Sequence, residues 1–351
     1  MKVLVATHSF GYNGAARVLR QLLRHWSSGL HWEVHVLASE AQRAAAGPSL
    51  EDDGLKVLSD VDPCDRYDFL LINTLLDAHR AERFKGRMPI VLWVHEGATI
   101  VHSWTGTPRE LIRLFGLPDL LVFQTPWQPE FVFRSFLMGV SPERIRVIPC
   151  AVSGFDMKGA GAREQYQDRF HVVSVGSVYA RKRPLDLAGA VLRLVGQVDV
   201  RATFIGDLAH AETTVLGSQF WSFSRQYPDR LKWVGALARA KLHDVVASAD
   251  AGCFPSGDET FGIAALELAT LGIPIVLADL PVYDFVGWRD GVNCLRYPVG
   301  DVEELARCLA RLAHSPALSK SLGTEGQRLA SLYPEARFAS EMTEAVTRLL
   351  A

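Results

Sequence analysis

Residues 257–276 read GDETFGIAALELATLGIPIV, and two carboxylates, Glu259 and Glu267, stand in a run that is otherwise apolar or small. Two carboxyl groups facing one another could share a role as an acid pair. Eight helical steps do not bring two side chains to one face, so a shared role is disfavoured. A carboxylate can also accept two hydrogen bonds from a vicinal diol such as a ribose, which would suit Glu267 inside the helix. The plainer alternative puts Glu267 on a solvent face. In the loop before the helix, Thr260 or Asp258 is expected as the cap, leaving the N–H groups of Phe261, Gly262 and Ile263 to face an anion such as a phosphate. Gly262 would let a ligand approach the backbone closely.

Other chemistry-bearing residues are scattered. The stretch VSVGSVYARKRPLDL carries Arg181, Lys182 and Arg183, by itself a solvated basic turn. VLWVHEGATI places His95 just after a buried-looking strand, where a lone histidine reads first as structural. SDVDPCD contains Asp60 and Asp62, a weak match to an acid pair that holds a metal diphosphate, in a polar loop before DFLLINT. Five cysteines (Cys64, Cys150, Cys253, Cys294, Cys308) show neither CxxC pairs nor metal-ligand spacing. Neither a disulfide framework nor a zinc site is expected, and a reducing cytoplasm fits.

The elements that must position these residues read as repeated β and α units. Short unalternated apolar runs (VLVA, FLLIN, PIVLWVH, LLVFQT) suit strands buried on both faces of a parallel sheet, and amphipathic helical runs separate them. After Pro149 the stretch CAVSGFDMKGAGAREQYQ lacks hydrophobic period and reads as a linker, and then the pattern restarts at HVVSVG. The openings MKVLVATHSFGYNGAARVLRQLL and FHVVSVGSVYARKRPLDLAGAVLRL are alike: strand, glycine-containing loop, helix. At 351 residues the chain exceeds one ordinary core. The expected fold is α/β: two Rossmann-like, doubly wound domains at 1–153 and 154–334, with a closing helix at 335–351 packing back toward the first. Open parallel sheets bind ligands beyond the carboxyl ends of their strands, so the two are expected to face each other across a cleft lined by those loops.

Composition excludes little and suggests little. With 48% hydrophobic and 22% charged residues and a net charge of -2, the chain has no basic field for nucleic acid. MKVLVATHSF is too short for a signal peptide or a spanning helix. FVFRSFLMG and RVLRQLLRHW are basic and apolar together, which fits either a membrane-surface helix or a core-facing one. The expected location is cytoplasmic, with peripheral contact at the inner face of the membrane through the N-terminal domain left open.

The stretch ADAGCFPSGDETFGIAALELATLGIPIVLADLPVYDFVGWRDGVNCLRYPVGD resembles the donor-site region of glycosyltransferase family 4, the group 1 retaining enzymes of GT-B fold. There two glutamates separated by seven residues flank an FG helix start, and a G-x-P-x-V segment follows, here Gly272, Pro274 and Val276. GYNGAARVL is similar to the family's glycine loop GGAERVL, with Asn13 for the first glycine and Gly14 retained. RIRVIPCAVSGFD resembles the inter-domain VIPNGVD, with Cys150 and Ala151 for Asn-Gly. VSVGSVYARKRPLDL resembles the segment whose arginine and lysine bind the donor diphosphate: Lys182 matches the lysine, but Ser177 stands where the arginine usually is. Arg181 and Arg183 are both candidates for the missing charge. LKWVGAL is similar to the segment whose backbone, around Gly235 to Leu237, contacts the nucleotide base.

The resemblance implies a metal-independent, retaining hexosyltransferase without a cofactor, using a nucleotide-sugar donor such as a UDP- or GDP-sugar. The acceptor would be a hydroxyl on a sugar, glycolipid or natural product. Lys182 and its neighbours would stabilise the leaving diphosphate, Glu259 would orient sugar hydroxyls, and Glu267 would grip the ribose. His95 would lie near the transferred sugar, and no residue is assigned as general base. A catalytically impaired nucleotide-sugar binding protein and a GT-B epimerase or phosphorylase stay open as alternatives.

Overall fold

A computed structural model of the chain describes residues 1–7, 10, 14–62, 65–155, 169–207 and 214–351. It divides into two compact units, Met1–Ala151 with Glu335–Ala351, and Val152–Pro334.

The first unit holds β1 (Lys2–Ala6), β2 (Glu33–Leu37), β3 (Lys56–Leu58), β4 (Phe69–Ile72), β5 (Ile90–Trp93), β6 (Leu120–Phe123) and β7 (Ile145–Val147). All pair in parallel, in the order β3-β2-β1-β4-β5-β6-β7. Phe69–Ile72, Ile90–Trp93 and Leu120–Phe123 are buried throughout, because helices and loops cover both faces of the central strands. The helix Gly14–Arg24 turns Val18, Leu19, Leu22 and Leu23 into the core. The apolar face of RVLRQLLRHW is therefore spent on packing. In FVFRSFLMG, Phe133 and Leu137 are core, while Phe131 and Met138 are 57% and 84% exposed. The closing helix Glu335–Leu350 belongs to this unit: Trp26 Nε1 donates to Thr343 Oγ1 at 3.0 Å, and the Phe338 and Trp93 rings lie 5.3 Å apart.

The second unit holds β8 (Phe170–Val175), β9 (Val200–Ile205), β10 (Leu231–Trp233), β11 (Ala251–Phe254), β12 (Ile275–Ala278) and β13 (Leu295–Tyr297). These too are all parallel, in the order β10-β9-β8-β11-β12-β13. The chain runs outward from β8 to one edge and then returns to start the other half at β11. Neighbouring strands β8 and β11 therefore send their following loops to opposite sides, and a crevice opens at their carboxyl ends.

The boundary between the two units, Ala151 to Val152, falls within the stretch expected as the linker. The opening of that stretch, Cys150 to Ser153 and Phe155, is buried, and residues 156–168 lie outside the described ones. Among the described residues no helix is long and apolar enough to cross a membrane.

Candidate functional site

In the second unit Ser177, Arg181, Lys182 and Glu259 come from the loops after β8 and β11, the two strands of the switch point, whereas Gly235 and Leu237 follow β10 at the sheet edge. After β8 the chain passes Gly176 and Ser177, makes a short 3-10 turn Ala180–Lys182, and enters the helix Pro184–Arg193 through Arg183. Arg183 adopts left-handed backbone angles (φ 47°, ψ 48°), a conformation costly for a residue with a Cβ, beside a proline that disfavours the right-handed alternative. That kink aims the turn back across the strand ends. A Cβ on Gly206 would lie 2.2 Å from the Gly176 carbonyl oxygen, so this glycine is what lets the β9 end close on the loop after β8.

The loop after β11 brings Glu259 to the same place. Lys182 Nζ donates to Glu259 Oε1, Ser256 Oγ donates to the same oxygen at 2.8 Å, and Arg181 Nη1 lies 3.9 Å from Glu259 Oε2. Arg181 also donates to the Asp258 carbonyl at 3.2 Å, and its own carbonyl accepts from Gly257 N at 2.7 Å. Burial pushes the Glu259 carboxyl up, but Lys182 and Arg181 outweigh it and hold the group below the usual carboxylate range. Burial lowers Lys182 in turn, against the pull of Glu259. Arg183 is committed elsewhere, donating to both oxygens of Asp186 at 2.7 and 3.3 Å.

Two expectations about the following helix are corrected. Neither Thr260 nor Asp258 caps it: the helix is Ile263–Ala269, and its N-cap is Gly262 at φ 77°, with no side-chain cap. The left-handed turn displaces the helix start past the polar residues. Gly262 also has an internal reason to be glycine, since a Cβ there would come within 3.0 Å of the Tyr283 ring. Phe261 is buried with its ring 5.0 Å from Tyr333. Glu267 is not on a solvent face: it is 3% exposed and faces Arg239 at 3.4 Å. At the β10 end Gly235 takes φ 73°, and its carbonyl accepts from Gly206 N at 2.9 Å; Leu237 follows in the same loop.

In the first unit the strand ends carry a second polar group. His95 Nε2 donates to Asn73 Oδ1 at 2.8 Å, its Nδ1 accepts from Gln124 Nε2, and its ring sits 4.3 Å from that of Trp93. Glu96 accepts from Thr74 Oγ1 and from Leu75 N at 3.0 Å. Sequence reasoning missed Asn73 and Gln124, although the signal is present: FLLI, IVLWV and LLVF are each followed directly by a polar residue, Asn73, His95 and Gln124. Gly14 is the first residue of its helix, while residues 11–13 of the glycine loop lie outside the described ones. Asp60 of the D-x-D match is engaged by Arg83 at 2.7 Å.

A family described as "Glycosyl transferases group 1" matches residues 169–315, the span that carries this switch point. The chain is 30% identical over 331 residues to the MMP alpha-(1->4)-mannosyltransferase of Mycolicibacterium hassiacum, covering 89% of this chain and 74% of that one. It is 25% identical over 245 residues to the processive diacylglycerol alpha-glucosyltransferase of Acholeplasma laidlawii, covering 63% and 69%. In fold it is similar to Anabaena HepE, solved in complex with UDP and glucose, at a TM-score of 0.80 and 17% identity over 99% of this chain and 100% of that one.

Proposed function

The chain belongs to the group 1 glycosyltransferases, with a GT-B fold, and from that premise we propose that it is a retaining, metal-independent hexosyltransferase of family 4. It transfers a sugar from a nucleotide-sugar donor, which we take to be a UDP- or GDP-sugar, to a hydroxyl of a sugar, glycolipid or natural product.

The observation that carries the reading is the Lys182–Glu259 contact, with Arg181 beside it, at the switch point of the second sheet. The main barrier is departure of a diphosphate while positive charge builds on the sugar ring. Lys182 and Arg181 supply fixed positive charge for that leaving group, so the reading needs no metal. Arg181 rather than Arg183 takes the place of the arginine absent at Ser177, because the Arg183 guanidinium is already forked onto Asp186. Glu259, held by Lys182 and Ser256, orients donor sugar hydroxyls, and Glu267 accepts from the ribose diol. His95 contacts the transferred sugar. The acceptor proton passes to the leaving phosphate on the face it departs from, which gives retention. The alpha linkages in both relatives' names support that outcome for donors that are themselves alpha. For peripheral membrane contact by the first unit, the support is its exposed Phe131 and Met138.

The test is a panel of UDP-, GDP- and ADP-sugars in thermal shift. A true donor at a hundredfold excess over Kd stabilises the fold by about 2.7 kcal/mol. The selected donor is then incubated with hydroxyl acceptors, and the anomeric configuration of the product is read by NMR. Release of free nucleoside diphosphate with an alpha product is expected. Inversion would sink the retaining mechanism, and donor binding without turnover with any acceptor would leave a binding protein.

A further inference from the structure

Glu267 is placed where a carboxylate needs help. Its side chain is 4% exposed, and a charge shut away from water is sustained only by a cation or by hydrogen bonds. Arg239, the first residue of the helix Arg239–Ala247 and two positions beyond Leu237, supplies a cation. Its Nη1 donates to Glu267 Oε1 at 3.4 Å. Its Nη2 donates to the carbonyls of Ser153 and Gly154, each at 2.7 Å, and its guanidinium carbon lies 4.4 Å from the centre of the Phe155 ring. The guanidinium is thus gripped by three consecutive residues on one side and meets the acid on the other. The segment that grips it is itself anchored, since Val152 N donates to the Tyr333 carbonyl at 2.9 Å. A planar guanidinium holds its donors in fixed directions toward both carbonyls and the acid, whereas an ammonium on a flexible stem would hold them less rigidly.

We infer that Arg239 is a positioning residue for the donor site: it orients the Glu267 carboxylate for the nucleotide ribose, and the Ser153 and Gly154 carbonyls fix Arg239 in turn. The inference rests on the proposed reading of Glu267 as the ribose acceptor. Hydrogen bonds to a diol depend on the direction of the carboxylate lone pairs, so a carboxylate free to rotate loses discrimination even while its charge remains. This assigns a task to the start of the second unit, residues 153–155, which the sequence read only as linker.

The test compares UDP, GDP and ADP as competitive inhibitors of the full chain, then the tightest of them with its 2′-deoxy form. The wild type should prefer the ribose form by roughly tenfold, the worth of one hydrogen bond to a charged group. Arg239→Ala should lose most of that preference and raise the donor KM by roughly tenfold, with a much smaller change in kcat. Arg239→Lys should fall between the two, and adding Arg239→Ala to Glu267→Gln should cost little beyond Glu267→Gln alone. If Arg239→Ala keeps the preference while Glu267→Gln loses it, the role of Arg239 is overturned and the ribose reading stands. If Glu267→Gln keeps it, or the wild type lacks it, the ribose reading falls and the inference with it. Should Arg239→Ala fail to fold by circular dichroism, Arg239→Lys takes its place: a reduced ribose preference supports the role of Arg239, and an unchanged one overturns it.

Discussion

Lys182 and Glu259, 77 positions apart in the chain, meet as an ion pair whose carboxylate also accepts from Ser256. The side chains are 22% and 10% exposed, so removing either partner strands a charge that water reaches poorly.

Lys182→Ala should therefore lower donor kcat/KM by roughly a hundredfold or more, as expected for loss of charge at a leaving group, and Glu259→Gln by roughly tenfold or more. The double variant should be less destabilised than the sum of the single ones, because neither charge is left alone. Arg181→Ala should raise donor KM, whereas Arg183→Ala should act mainly on Tm through the lost Asp186 fork. Steady-state kinetics and thermal melts on the four single variants and the double variant check this, and near wild-type turnover in both Lys182→Ala and Glu259→Gln would remove the site.

The His95 bonding pattern describes a neutral ring protonated at Nε2, with Asn73 accepting and Gln124 donating. Long-range nitrogen–proton NMR of the histidine rings should report that tautomer near neutral pH. Asn73→Ala and Gln124→Ala should each reduce kcat by roughly tenfold and should add little to His95→Ala, since all three act through one ring. Additive losses would mean that the two amides serve some other purpose.

A pH dependence of stability follows from His171, buried in β8 with its ring bonded to Thr203 Oγ1 at 2.8 Å and to the Ser248 carbonyl at 3.3 Å. Burial lowers its pKa from 6.5 to about 4, against the Ser248 bond and with help from Arg201 and Lys232. Between those values the unfolded chain binds the extra proton and the folded one does not. Stability is therefore complete above about pH 6.5, falls as the pH drops toward 4, and levels off below, by a total on the order of 3 kcal/mol. Urea unfolding across this range should show the slope, and His171→Gln should flatten it. An unchanged slope in that variant would assign the effect to other groups.

Much of the fold is legible because its signal is local. A strand covered on both faces must be apolar at every position, so FLLI, IVLW and LLVF announce a parallel sheet from within their own windows. The repeat of strand, glycine loop and helix announces a second sheet in the same way. The helix cap escapes a local reading: Thr260 and Asp258 are good caps, but Gly262 at φ 77° turns the chain before the helix can begin at Ile263.

By itself the sequence determined which residue types stand at the carboxyl ends of strands: Asn73, His95 and Gln124 in one unit, the loops of Lys182 and Glu259 in the other. Tertiary structure alone decided who meets whom. Lys182 reaches Glu259 because β8 lies beside β11, although β9 and β10 separate them in the chain. Glu267, ambiguous between ligand contact and solvent face, became a buried carboxylate held by Arg239, itself bonded to the carbonyls of 153 and 154. Periodicity reflects the burial of sequence neighbours, whereas the partner of a charge is set by strand order, which no window along the chain contains.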